Sequence, residues 1–252
     1  MEKKLALVTG ASSGIGRETA RQLSAMGYDL ILAARGIEQL KKLSAELGGA
    51  EIYPCDLSFR NQAMALGAYI EERKPDIVVN NAGFGVFGDA DRAPLSRQLG
   101  MIDVNVGALQ ILTVHALRMM KARGSGRILN VASSAGLFPA GPHMAGYYAS
   151  KAYVASYTSA VAQELRESGS AVTVSALCPG PVDTNFNRVA GVKFALKGIS
   201  AADCAAAGIR GMMKGKTIIV PEFTLRAAVF AVRLLPRRLA VWLVGRQQSR
   251  KG

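Results

Sequence analysis

Between residues 5 and 220 the chain alternates short apolar runs with longer stretches of helical period, and nothing else in it constrains the fold as much. The apolar runs lie at residues 5–8, 29–35, 51–54, 76–79, 127–131, 172–177 and 217–220. Helical patterns fall between them, up to Met26 after the first run, then at 40–47, 60–73 and 94–123, and again around Tyr147 and Lys151. Strands separated by helices of this length cannot pair through hairpins. They return by crossovers, which makes them parallel and the crossovers right-handed. No internal repeat, low-complexity run or linker interrupts the series. The 252 residues, half of them hydrophobic, suffice for one large domain with a sizeable core.

The first strand runs directly into Thr9-Gly10-Ala11-Ser12-Ser13-Gly14-Ile15-Gly16, and a helical pattern follows. Strand, glycine-rich turn, helix is the context in which glycines serve a phosphate. They let the backbone approach a pyrophosphate, while the helix N-terminus offers unpaired N–H groups and a positive dipole end. Gly10, Ser12, Ser13, Gly14, Ile15 and Gly16 are therefore expected cofactor residues, on a Gly-x3-Gly-x-Gly spacing wider than the commonest fingerprint. The expected fold is α/β, a single Rossmann-like, doubly wound parallel sheet of about seven strands flanked by helices. It occupies residues 1–221, with a C-terminal helical extension at 222–252.

An acid about twenty residues beyond the glycines would hydrogen-bond the ribose 2′-hydroxyl of NAD. Here Ala34 and Arg35 stand at that place. An arginine without the acid fits a 2′-phosphate, so NADP(H) is expected over NAD(H), with Arg17 as a second cation nearby. Asp56, beside Leu57 after the third strand, is placed to meet the adenine edge.

Charge and cysteine usage bound the remaining classes. From Glu222 onward seven basic residues, Arg226, Arg233, Arg237, Arg238, Arg246, Arg250 and Lys251, face that one acid, which concentrates nearly half of the +13 net charge there. Few aromatic residues and no recognition motif accompany the charge, so nucleic acid is not the expected partner. The cysteines, Cys55, Cys178 and Cys204, form neither a metal pattern nor a disulfide framework, so no metal and a reducing cytosol are expected. With no signal-peptide pattern and no run of 18 apolar residues, a soluble or peripheral protein is expected.

Tyr147-Tyr148-Ala149-Ser150-Lys151 places a lysine on the helical face of both tyrosines. A nearby cation favours the phenolate, so the tyrosine pKa is expected to fall from about 10 toward the range of an acid/base catalyst. Spacing alone does not choose between the tyrosines. Asn105 sits in an otherwise apolar helical pattern, where a kink or cap is the plain reading. Ser133 and Ser134 follow the fifth strand, at the sheet edge where ligands of such folds bind.

Together these motifs resemble the short-chain dehydrogenase/reductase family over at least residues 4–184. The resemblance rests on Thr9-Gly10-Ala11-Ser12-Ser13-Gly14-Ile15-Gly16, Asn80-Asn81-Ala82-Gly83, Asn105, Ser133, Tyr147-x3-Lys151 and Pro179-Gly180, in this order. It implies Tyr147 as general acid/base, Lys151 lowering its pKa and binding the nicotinamide ribose, a serine holding the substrate oxygen, and Asn105 anchoring a water. It also implies that Asn81, Ala82 and Gly83 line the cofactor, as do Pro179 and Gly180, and that Val182 and Thr184 meet the carboxamide. The family pattern selects Tyr147 and leaves Tyr148 to packing or substrate. Ser-x-x-Gly favours Ser133, whereas the family's separation of thirteen residues from the tyrosine favours Ser134.

The expected activity is hydride transfer between NADP(H) and a carbonyl or secondary alcohol. An epimerase or dehydratase of the same family, or a non-catalytic dinucleotide sensor or scaffold, are the alternatives. A substrate lid is expected at about 185–214, where Phe186, Val189, Val192, Phe194 and Leu196 suggest a small hydrophobic substrate. Many family members end soon after the last strand, in a segment that helps form a tetramer, so a homo-dimer or tetramer is expected. Here basic residues continue among Phe230, Leu234 and Trp242, a pattern that suits either packing on the domain or peripheral membrane contact.

Overall fold

The structure is a computed structural model that describes residues 4–192 and 198–249, apart from the Asn187 side chain. Phe194 and Leu196 of the expected lid, and Arg250 and Lys251 of the basic tail, lie outside the described residues. The chain begins β1 (Leu5–Thr9), α1 (Gly14–Ala25), β2 (Asp29–Ala34), α2 (Ile37–Glu46), β3 (Glu51–Pro54), α3 (Arg60–Arg73) and β4 (Ile77–Asn80). It continues with α4 (Leu95–Ile102), a π-helical segment (Asp103–Ala108), α5 (Leu109–Arg123), β5 (Arg127–Val131), a 3-10 turn (Ser134–Leu137), α6 (Ala145–Glu167) and β6 (Thr173–Leu177). The remainder is β7 (Val182–Asp183), α7 (Phe186–Ala190), β8 (Ile199–Ser200), α8 (Ala201–Met213), β9 (Ile218–Ile219), α9 (Phe223–Arg233) and α10 (Arg237–Gln248).

Seven parallel strands form one sheet in the order β3-β2-β1-β4-β5-β6-β9, and β7 pairs with β8 beside it. Alternating side chains enter two cores, as expected of strands covered on both faces. Leu7, Ile31, Val78, Ile128 and Val174 meet α3, α5 and α6 on one face. Ala6, Val8, Leu32, Val79 and Leu177 meet α1, α2 and α8 on the other. By length and a mean hydropathy of 1.3, Leu95–Arg123 could cross a membrane. In the structure Leu112, Ala116 and Met120 of α5 are instead built into the first core.

Two features here are invisible in the apolar pattern. The expected lid divides: α7 lies at the cleft, while α8 buries Cys204, Ile209 and Met212 in the second core. A buried polar chain also ties β4, α5, β5 and α6 together. Asn80 Nδ2 donates to Thr113 Oγ1 at 3.0 Å and to Asn130 Oδ1 at 2.9 Å, and Asn130 Nδ2 donates to Thr158 Oγ1 at 3.0 Å. Such a network fixes the register of the elements carrying the site.

Strand order reverses between β1 and β4, both neighbours in the sheet although the chain leaves β1 toward β2. The loops after these two strands diverge there and leave a crevice at the carboxyl edge. Asn81 stitches its rim: its backbone N–H donates to Thr9 Oγ1 at 3.0 Å and its Nδ2 to the Thr9 carbonyl at 2.9 Å.

Candidate active site

A cleft of about 940 Å³ opens along this edge, running from the glycine turn past β2 and β4 to α6, α7 and α10. At one end Gly10 and Gly14 have φ of +65° and +54°. A Cβ on Gly10 would meet Asn81 Nδ2 at 2.7 Å, so this turn admits glycine for both its conformation and its closeness to β4. Helix α1 starts at Gly14 with no side-chain cap from Ser13 and no acid in its first turn. Its leading N–H groups and positive dipole end therefore face the cleft free for an anion. Ser12, Ser13 and Ile15 also border the cleft, whereas Gly16 packs behind it against Gly10 and Asn81.

Further along, Arg35, Asp56 and Leu57 border the cleft where an adenosine half would lie. The Arg35 side chain is 74% exposed, with a guanidinium nitrogen 3.8 Å from Asp56 Oδ2. Ala82, Gly83, Pro179, Gly180, Val182 and Thr184 line the middle, with Asn81 at the rim. Gly180 N–H donates to Glu222 Oε2 at 3.1 Å, so the C-terminal extension is anchored to this wall.

Tyr147, Lys151 and Ser133 converge at the other end. Tyr147 is buried among Met144, Phe186 and Val192, its ring centroid 5.2 Å from that of Phe186. Burial pushes its pKa up to about 12, while a hydrogen bond with the Ser133 hydroxyl acts to lower it. The downward shift expected from the lysine is therefore corrected: desolvation wins, because Lys151 Nζ donates to the Val131 carbonyl at 2.8 Å and lies 6.0 Å from the Tyr147 ring centroid. Burial likewise holds Lys151 down, to about 8.

The Ser133 hydroxyl, which acts on the Tyr147 pKa, accepts from Ala135 N–H at 3.1 Å and donates to the Pro179 carbonyl at 3.5 Å. Ser134 lines the cleft as well, and its N–H donates to the Pro179 carbonyl at 2.8 Å. Asn105, for which the resemblance implies anchoring a water, is not among the residues that line the cleft. It lies fully buried in the π segment, behind Gly83, its Nδ2 donating to the Phe84 carbonyl at 2.9 Å and to Ser150 Oγ at 3.1 Å. Its Oδ1 accepts from Phe84 N–H at 3.0 Å. The π turn that makes room for this amide is an insertion within the helical stretch expected over 94–123, which runs on through it from Leu95 to Arg123, and such segments recur near functional sites.

Tyr148 and Gln248 also line the cleft, and sequence reasoning missed Gln248, which arrives from 100 residues away on α10. Its only sequence signal is position four residues after Val244 and eight after Ala240 on one helical face. All three cysteines are buried, with pKa values raised to about 11 or 12, so none is an activated thiolate.

The family model for short chain dehydrogenases matches residues 4–192. The chain belongs to the short-chain dehydrogenase family. A D-β-hydroxybutyrate dehydrogenase of Rhizobium meliloti is 33% identical over 189 residues, 72% of each chain. Two solved short-chain dehydrogenases superimpose closely. One from Sphingobium yanoikuyae in complex with NADPH has a TM-score of 0.83 at 28% identity, covering 91% of this chain and 92% of its own. One from Burkholderia phymatum in complex with NAD has a TM-score of 0.82 at 27% identity, covering 92% and 93%. As a short-chain dehydrogenase the protein is an oxidoreductase of alcohol or carbonyl groups that uses a nicotinamide dinucleotide, and the uncapped α1 terminus beside φ-positive glycines fits the pyrophosphate of that cofactor.

Proposed function

We propose that this short-chain dehydrogenase transfers hydride between NADP(H) and a carbonyl or secondary alcohol of a hydrophobic substrate, with Tyr147 as general acid/base. The observation that carries the reading is Tyr147 buried at the apolar end of a dinucleotide cleft that Ser133 also lines, with Lys151 one helical turn away. When bound, the nicotinamide supplies or accepts the hydride. In reduction, the Tyr147 O–H gives its proton to the substrate oxygen while Ser133 holds that oxygen in line. Lys151, a cation at neutral pH, favours the phenolate left behind. Asn105 acts as a positioning residue, fixing Phe84 and Ser150 around the lysine. Phe186, Val189 and Val192 of the cleft wall favour an apolar substrate.

The choice of NADP(H) is supported by Arg35, exposed at the end of β2 where Ala34 replaces an acid. A 2′-phosphate would draw the guanidinium from Asp56, a contact of 3.8 Å on the surface and weak. Oxidation of NADPH and of NADH over a panel of hydrophobic ketones tests the function. Wild type should prefer NADPH, and Arg35→Ala should lose about tenfold or more of that preference. A protein that binds the dinucleotide yet turns over none of the ketones would be a sensor instead.

The outer surface of α9 and α10 supports a peripheral contact with anionic lipid. Phe230 and Leu234 are 66% and 74% exposed, and Arg226, Arg233, Arg237 and Arg238 flank them. Pelleting with anionic liposomes should be lost in Phe230→Glu; equal pelleting would remove the idea.

A further inference from the structure

Helix α10 brings one polar group to the substrate end of the cleft. Its buried face is Ala240, Val244 and Gln248, each four residues from the next. Val244 packs in the cluster that holds Met144, Tyr147 and Tyr148. Gln248 breaks this apolar stripe: it is only 3% exposed, and it lines the same cleft as Tyr147. Its Nε2 donates to the Tyr148 hydroxyl, while its Oε1 has no hydrogen-bond partner among the described residues. A leucine would complete the stripe without the desolvation cost of a bare amide oxygen, so packing does not account for a glutamine here.

The pair has a definite hydrogen-bonding character. Gln248 Nε2 already fills one lone pair of the Tyr148 oxygen, so the Tyr148 O–H remains to be donated. Gln248 Oε1 beside it remains to accept. A donor next to an acceptor is complementary to a hydroxyl, which gives its proton to Oε1 and accepts the one from Tyr148. A carboxylate or phosphate would set negative oxygens against Oε1. The rings of Tyr147 and Tyr148 stand edge to face with centroids 6.4 Å apart, so this polar point is separated from the reacting carbonyl by aromatic surface. We infer that Gln248 and Tyr148 form a subsite for a neutral hydroxyl remote from the reacting group, and that the substrate is an otherwise apolar ketone or alcohol carrying that second oxygen. The inference rests on the oxidoreductase reading above and narrows it.

The test uses the full chain with NADPH or NADH, 2-decalone and the positional isomers of ring-hydroxylated 2-decalone. Wild type should favour at least one hydroxylated isomer over 2-decalone by about tenfold or more in kcat/KM, chiefly through KM. Gln248→Leu and Tyr148→Phe should each shrink that ratio about tenfold. Because both substrates are measured on the same sample, a loss of folded protein cancels in the ratio. A wild type indifferent to the hydroxyl, or variants that lower both substrates in parallel, would overturn the inference and leave the oxidoreductase reading intact. If neither compound is turned over, the ketone panel above decides the oxidoreductase reading, and calorimetry with the dinucleotide-loaded protein decides the subsite. Hydroxyl-dependent binding lost in Gln248→Leu sustains it, and equal or absent binding overturns it.

Discussion

Burial moves the two ends of the Tyr147–Lys151 pair in opposite directions, and each shift has a measurable consequence. Lys151 is held down to about 8 from an ordinary 10.5, so below pH 8 folding carries the full cost of burying its cation. That cost is relieved between the folded and unfolded values, where the unfolded chain binds the proton and the folded one does not. Stability of the dinucleotide-free protein should therefore rise by roughly 2 kcal/mol from pH 7.5 to 9.5 through this group, and Lys151→Met should flatten the rise in urea titrations. Tyr147, at about 12, stays protonated at neutral pH and is ready to donate. Of the two serines, Ser133 is the one that acts on the Tyr147 pKa, so Ser133→Ala should lower kcat about a hundredfold while Ser134→Ala changes it by only a fewfold. That Tyr147, Lys151 and Ser133 meet at one cleft was legible through the family resemblance, since a tyrosine and a lysine at this helical spacing are common by themselves. The sign of the tyrosine shift was not, since it depends on how much solvent the folded cleft excludes.

At the scale of elements, the turn from β1 to α1 does two jobs with one set of glycines. Gly10 takes a left-handed φ and lies against Asn81, which itself bonds the Thr9 carbonyl. Gly10→Ala should therefore cost about 1–2 kcal/mol from conformation alone, and more from displacing Asn81. A lowered Tm with NADPH binding weakened at least about tenfold would bear this out, and a variant with unchanged Tm and affinity would refute it. The glycine turn could be read because strand and helix signals bracket it. The π segment could not, because Asn105 in an apolar helix predicts a polar buried contact and says nothing of the hydrogen-bond register around it. Helix α8 was hidden for a similar reason: its buried side chains are mainly Ala, Gly and Cys, too small to print an apolar stripe.

For the whole molecule, alternation of strand and helix patterns was enough to predict a parallel sheet covered on both faces, because few other arrangements can bury such strands. Long-range closure was less legible. Nothing local to Asn80, Thr113, Asn130 and Thr158 announces that they meet, and nothing local to Gln248 announces the cleft. The +13 charge was locatable in the sequence, and in the structure Arg226, Arg233, Arg237, Arg238 and Arg246 of its C-terminal share lie on α9 and α10, the segment that also brings Glu222 to Gly180 and Gln248 to Tyr148. The segment that carries those helices thus touches the cleft wall at Gly180 and Tyr148 as well as forming surface. Parallel assays of Tyr147→Phe and Tyr148→Phe with dinucleotide and ketone separate the two tyrosines as the group that moves the proton. Assignment of that role to Tyr147 requires that Tyr147→Phe lose about 10²–10⁴-fold in kcat with dinucleotide affinity kept, while Tyr148→Phe stays within about tenfold of wild type. Activity retained in Tyr147→Phe and lost in Tyr148→Phe would contradict it.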